Sequence, residues 1–148
     1  MAVVKAVIDT NIWVSSLLNP FGFPARLRTS FEDGDFNIVI SVSMLEELAN
    51  VLNRPKIKDK FKIEEEDIAK LLFLIEDRAE DVNISGNVTI CRDKDDDIII
   101  ETAIKGKAEY LVTRDDDIKF DRKVSSFLSQ HGVTVISLSK FLEIIKKS

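Results

Sequence analysis

The sequence predicts an α/β fold in which a mainly parallel sheet lies between helical layers. Short apolar runs rich in β-branched residues, such as Val3 to Ile8 and the core of "EYLVT", lack polar alternation, which is the pattern of strands covered on both faces. Stretches with apolar residues at helical spacing separate those runs, so strands and helices alternate. The first run and the "EYLVT" run each lead into an acid, in "IDTN" and "TRDDD". In open parallel sheets, ligands bind beyond the carboxyl ends of the strands, where the strand order reverses.

The elements follow in order. Val3 to Ile8 is the first strand and Asn11 to Leu18 the first helix. "NPFGFPA" breaks that helix, and Pro24 opens the next, which ends near "EDGD". Phe36 to Ile40 is a second strand. Ser41 or Ser43 caps a helix through "MLEELANVLN" that ends at Pro55. A long helix spans Glu64 to Arg78, with Ile68, Leu71, Leu72 and Ile75 on one face. Val82 to Ile84 reads as a short edge strand. After "SGN", the run "RDKDDD" enters a helix through "IIIETAIKG", closed by Gly106. "EYLVT" is a strand, Val124 to Gln130 a helix, "VTVIS" the last strand and "KFLEIIKK" the closing helix.

The 148 residues make one domain, 1–148, with 45% hydrophobic and 32% charged residues and no linker or repeat. No apolar stretch approaches a membrane span and no leader precedes the first strand, so a cytoplasmic protein without membrane contact is expected. Cys91 is the one cysteine, which excludes an internal disulfide and a cysteine zinc cluster; it reads as a small buried hydrophobe. His131, also single, suits the end of a helix. Histidine triads and Cys-His nucleophile pairs are thereby excluded, and carboxylates are left as the abundant reactive groups. A net charge of -5 argues against coating nucleic acid by bulk charge. It leaves room for a local basic track in "NRPKIKDKFK", where Arg54, Lys56, Lys58, Lys60 and Lys62 outweigh Asp59; a solvated connector is the other reading.

Asp9 and Asp115 each follow a strand, so they would face each other if those strands are neighbours, although each also suits the cap of the next helix. On the third helix, Met44, Leu48, Val51 and Leu52 define the apolar face; Glu46 points away from it and Glu47 lies on its flank. Asp96 precedes Ile100 by one turn and is the inward acid of "DKDDD", whereas Asp97 leads to Glu101, away from the core. Asp93, Asp95 and Asp97 suit the helix macrodipole. Asp9, Glu47, Asp96 and Asp115 would thus converge, with Asp117 close by. Carboxylates so grouped need counter-charge, which divalent cations supply; all-oxygen ligands favour Mg²⁺ or Mn²⁺, and two such ions can clamp a phosphodiester for in-line attack by water.

The chain resembles the PIN-domain ribonucleases, in particular those described as toxin components of toxin–antitoxin pairs. The likeness rests on "VIDTNIWVSSLL", "SVSMLEELANVLNRP" and "RDKDDDIIIETAIKGKAEYLVTRDDDI", which stand in the family's order and span nearly the whole chain. It implies a three-layer α/β/α sandwich of Rossmann type and Mg²⁺- or Mn²⁺-dependent cleavage of single-stranded or structured RNA. By position, Asp9, Glu47, Asp96 and Asp115 match the acidic quartet, Asp117 a further acid, and Asn11, Ser41 and Thr113 the small polar residues that support them. Asp93 or Asp97 could share a metal through water. Arg54, Lys56, Lys58 and Arg114 are candidate contacts to the RNA backbone. A small antitoxin protein is implied as a partner, and Trp13, Leu17 and Phe21 could line a homodimer face, with core packing the alternative for Trp13. The rival from another class is a catalytically inactive PIN-fold module that binds RNA or protein. An aspartate-phosphorylating phosphotransferase ranks third, because "DTN" lacks the second acid of haloacid-type enzymes.

Overall fold

The computed structural model describes residues 3–91, 94–114 and 121–146. Five parallel strands form the sheet: β1 (Lys5–Ile8), β2 (Asn37–Ser41), β3 (Glu80–Val82), β4 (Tyr110–Val112) and β5 (Thr134–Ile136), in the order β3-β2-β1-β4-β5. The helices among the described residues are α1 (Thr10–Leu18), α2 (Phe23–Glu32), α3 (Val42–Leu52), α4 (Pro55–Lys58), α5 (Glu65–Arg78), α6 (Lys94–Lys105), α7 (Arg122–Gln130) and α8 (Leu138–Lys146). No helix among the described residues is long and apolar enough to cross a membrane.

The chain steps from β1 outward to β2 and β3, then crosses to β4 and β5 on the other side. Because such crossovers are right-handed, reversing the direction of travel moves the connecting helices to the opposite face. Helices α1, α2, α3 and α5 therefore cover one face, and α6 and α7 the other, with α6 lying across β2, β1 and β4. Helix α8 returns to the first face beside α2. This is the expected three-layer α/β/α sandwich.

The sheet is apolar on both sides: Ala6, Val7, Ile8, Ile38, Val39, Ile40, Leu111 and Val112 are all buried. On the α1 face an unbroken row of rings, Trp13–Phe31–Phe36–Phe141–Tyr110, runs through the core with centroids 5.0–6.0 Å apart. Trp13 belongs to that core and to no surface; Leu17 is half-buried, and of the three residues that could line a dimer face only Phe21 is open, at 91%.

The helix starts follow capping chemistry. Ser41, and not Ser43, caps α3, its Oγ accepting the Met44 N–H at 3.4 Å. Pro24 sits in the first turn of α2, where its missing N–H costs nothing. Two local differences from the sequence reading stand out. The edge strand is Glu80–Val82, two residues earlier than expected, and Pro55 starts the short helix α4 after ending α3.

Gly106 ends α6 for a reason other than left-handed backbone. That conformation belongs to Lys107, at φ 54, and the N–H of Ala108 closes the turn on the Ala103 carbonyl at 2.9 Å. Gly106 is needed for space, since a Cβ there would stand 2.1 Å from Val39 Cγ1. The end of α6 is thereby seated directly on β2.

Candidate active site

The strand order reverses between β1 and β4, and the candidate site begins at their carboxyl ends. Ile8 pairs with Val112, and the Asp9 N–H extends the ladder by one bond, to the Val112 carbonyl at 3.0 Å. Asp9 is 4% exposed. Its Oδ2 accepts the Thr113 hydroxyl at 2.8 Å and its Oδ1 the Asn11 N–H at 3.3 Å. The carboxylate both caps α1 and spans the reversal point; these are one geometry, not alternatives. Thr113 is wholly buried, whereas Asn11 is exposed and meets Asp9 through its backbone.

A second buried bond joins the other two acid-bearing elements. The hydroxyls of Ser41, at the start of α3, and Thr102, on α6, lie 2.9 Å apart, and both residues are buried. Thr102 also reaches the Ile98 carbonyl at 2.7 Å. This bond fixes the helix bearing Glu47 against the helix bearing Asp96. Both acids are half-buried, in the part of each helix that starts from the carboxyl edge, while Glu46 is exposed. Thr102 escaped the sequence reading, although a hydroxyl among Ile99, Ile100 and Ala103 on a buried face is itself a signal that a partner is required.

Asp97 requires a correction. It does not face away from the protein: it is 8% exposed, and its Oδ1 accepts the N–H groups of Ile90 at 2.9 Å and Cys91 at 2.8 Å. One turn on, Glu101 is 2% exposed and takes the Ser85 N–H, the Ser85 hydroxyl at 3.1 Å and the Gly86 N–H at 2.9 Å. Segment 83–91 covers this face of α6 and is held by its two carboxylates. Burial alone would raise the Glu101 pKa. The donors from Ser85 and Gly86, with Lys105, outweigh it and hold the carboxyl below its ordinary value. Cys91 is half-buried, and burial followed by the charges of Asp97 and Asp96 pushes its thiol up to about 12, so it offers no thiolate at neutral pH.

Asp115 and Asp117, with Asp93, lie outside the described residues. Among the described residues no three Asp, Glu, His or Cys side chains are grouped to hold an ion. The acids at this edge present oxygen only, a donor set suited to a hard divalent cation and not to a soft one.

The candidate cations divide by position. Helix α3 carries the chain ~16 Å from its start at Ser41, at 1.5 Å per residue, before Arg54 and Lys56 appear. Both are exposed, and Lys58 is paired with Glu65 at 2.8 Å. Arg114, next to Thr113, stands at the carboxyl edge itself and is exposed.

Known proteins are similar to this chain in sequence. Residues 5–117 match the PIN domain family. An uncharacterized protein of Methanocaldococcus jannaschii is similar at 32% identity over 147 residues, covering 97% of this chain and 93% of that one. On the parallel sheet, the acid at its reversal point and this match to most of its length, the chain belongs to the PIN-domain family, whose members are generally metal-dependent nucleases.

Proposed function

We propose that this protein is an Mg²⁺- or Mn²⁺-dependent endoribonuclease that hydrolyses RNA phosphodiester bonds at the carboxyl edge of β1 and β4, with Asp9, Glu47, Asp96 and Asp115 as its acidic quartet and Asp117 beside them. The observation that carries the reading is the Asp9 carboxylate, buried at the reversal point and oriented from both sides by Thr113 and Asn11. A buried acid fixed in one orientation is prepared to act on something brought to it.

The chain's own residues divide the work. Thr113 and the Asn11 N–H hold the Asp9 oxygens in place. The Ser41–Thr102 bond sets Glu47 and Asp96 relative to one another by locking their helices. Two divalent cations would supply Lewis acidity toward the phosphodiester and offset the carboxylate charge. The toxin role, with a small antitoxin protein as partner, and a cytoplasmic location belong to the same proposal and rest on the resemblance of the sequence segments alone. A homodimer would cover Phe21 on the rim.

The test is cleavage of a mixed RNA pool in Mg²⁺ or Mn²⁺, with chelator and Asp9→Asn as controls. Loss of cutting in both controls is expected. A protein that binds RNA but cuts nothing under any of these conditions is the inactive binding module instead.

A further inference from the structure

We propose that the cleft beyond the carboxyl ends of β4 and β5 holds one unpaired nucleotide of the RNA strand, next to the bond that is cut. The inference rests on the nuclease reading for the identity of the strand. The cleft measures about 550 Å³, and its lining includes Ser15, Asn19, Phe23, Thr113, Arg114 and Ser139. That volume suits a single small ligand.

Each part of a nucleotide finds its complement here. Arg114 has no ion pair or hydrogen bond among the described residues, in a chain of net charge -5. A guanidinium left open in this way is a fork-shaped phosphate receptor. Phe23 is 50% exposed, and the Arg26 guanidinium lies 5.6 Å from its ring centroid. Supported by that cation, the ring is a platform on which a base can stack. The Ser15 and Ser139 hydroxyls and the Asn19 amide supply donors and acceptors for sugar and base edges. Gly22 leaves the start of α2 without a side-chain cap, and a Cβ there would meet the Asn19 amide nitrogen at 3.1 Å, so the glycine keeps this wall open.

The cleft shares one residue with the acidic edge. Thr113 lines it and also binds the Asp9 carboxylate. A nucleotide seated between Phe23 and Arg114 would have its adjoining backbone phosphate on the Thr113 side, towards Asp9. Because its base must leave any duplex to enter the cleft, the preferred substrate is unpaired RNA.

Binding of a fluorescein-labelled oligouridylate, read by anisotropy without divalent ions in the Asp9→Asn background, tests this independently of cleavage. Arg114→Ala and Phe23→Ala, both at solvent-exposed positions, are each expected to weaken binding about tenfold with thermal unfolding unchanged. The same strand annealed to its complement should bind less well than the free strand. Equal affinity across the variants, or a preference for the duplex, overturns the proposal and leaves the cleft to a protein ligand. Tenfold losses in a protein whose Asp9 form cuts no RNA would uphold the cleft and remove the nuclease reading instead.

Discussion

Thr113, the residue after β4, donates its hydroxyl proton to Asp9 at the end of β1, 2.8 Å across the point where the strand order reverses. The two residues are 104 positions apart in the chain, and both are buried. Thr113→Val keeps the shape and removes the donor, leaving a buried carboxylate short of one bond. A loss of about 1–3 kcal/mol in a urea titration is expected, with recovery in Thr113→Ser. If Thr113→Val is as stable as the wild type, the bond does not hold the edge together.

Asp9→Asn is the milder change for the fold. An amide oxygen still accepts one donor, asparagine caps helices as well as aspartate, and the proposed quartet loses one of its mutually repelling charges. Thermal unfolding should therefore be unchanged or shifted upward while cleavage is lost. A large drop in the melting temperature would sink the assignment of Asp9 to chemistry.

The Ser41–Thr102 contact is best read by a double-mutant cycle. Ser41→Ala removes a cap as well as the contact and should cost about 1 kcal/mol. Combined with Thr102→Val, a coupling energy of about 1 kcal/mol is expected, and both variants should lower cleavage by loosening Glu47 against Asp96. Strict additivity would show that α3 and α6 are positioned by packing alone.

Gly106→Ala sets two effects of opposite sign against each other. Replacing glycine at a helix end normally gains up to about 1 kcal/mol, but the new methyl would fall 2.1 Å from Val39 Cγ1. Overpacking costs about 1–3 kcal/mol, so net destabilisation is expected. In a Val39→Ala background the Cγ1 clash is gone while the Val39 Cβ, 2.9 Å away, remains, so the penalty of Gly106→Ala should shrink without vanishing. A penalty undiminished there would point to backbone strain instead.

Glu101 makes stability depend on acidity. Its pKa is lowered in the folded protein, because the Ser85 and Gly86 donors favour the charged form over the burial that opposes it. The stabilisation is therefore fully present above the ordinary value of 4.5 and is lost as pH falls through the lowered folded value. Glu101→Gln should be less stable at neutral pH and show a flatter decline in acid. Hydrogen exchange at Ser85 and Gly86 should rise in the same variant.

Periodicity and caps carried much of this fold because they are local. The β-branched runs with both faces apolar specified a parallel sheet, and the spacing of Met44, Leu48 and Leu52 separated half-buried Glu47 from exposed Glu46. The same logic failed at Asp97 and Glu101. Helical geometry says which residues share a face but not what lies over it, and the covering segment 83–91 bonds through backbone N–H groups that every residue carries.

By itself the sequence determined that strands and helices alternate, that oxygen donors are the available chemistry, and that Asp9 stands at a strand end. Those properties follow from residue type and spacing. Tertiary structure alone decided that β4 lies beside β1, so that Thr113 meets Asp9, that a threonine on α6 locks the start of α3, and that Arg114 rather than Arg54 borders the edge. Each of these depends on the order in which distant strands pair, and strand order leaves no mark within any one stretch of chain.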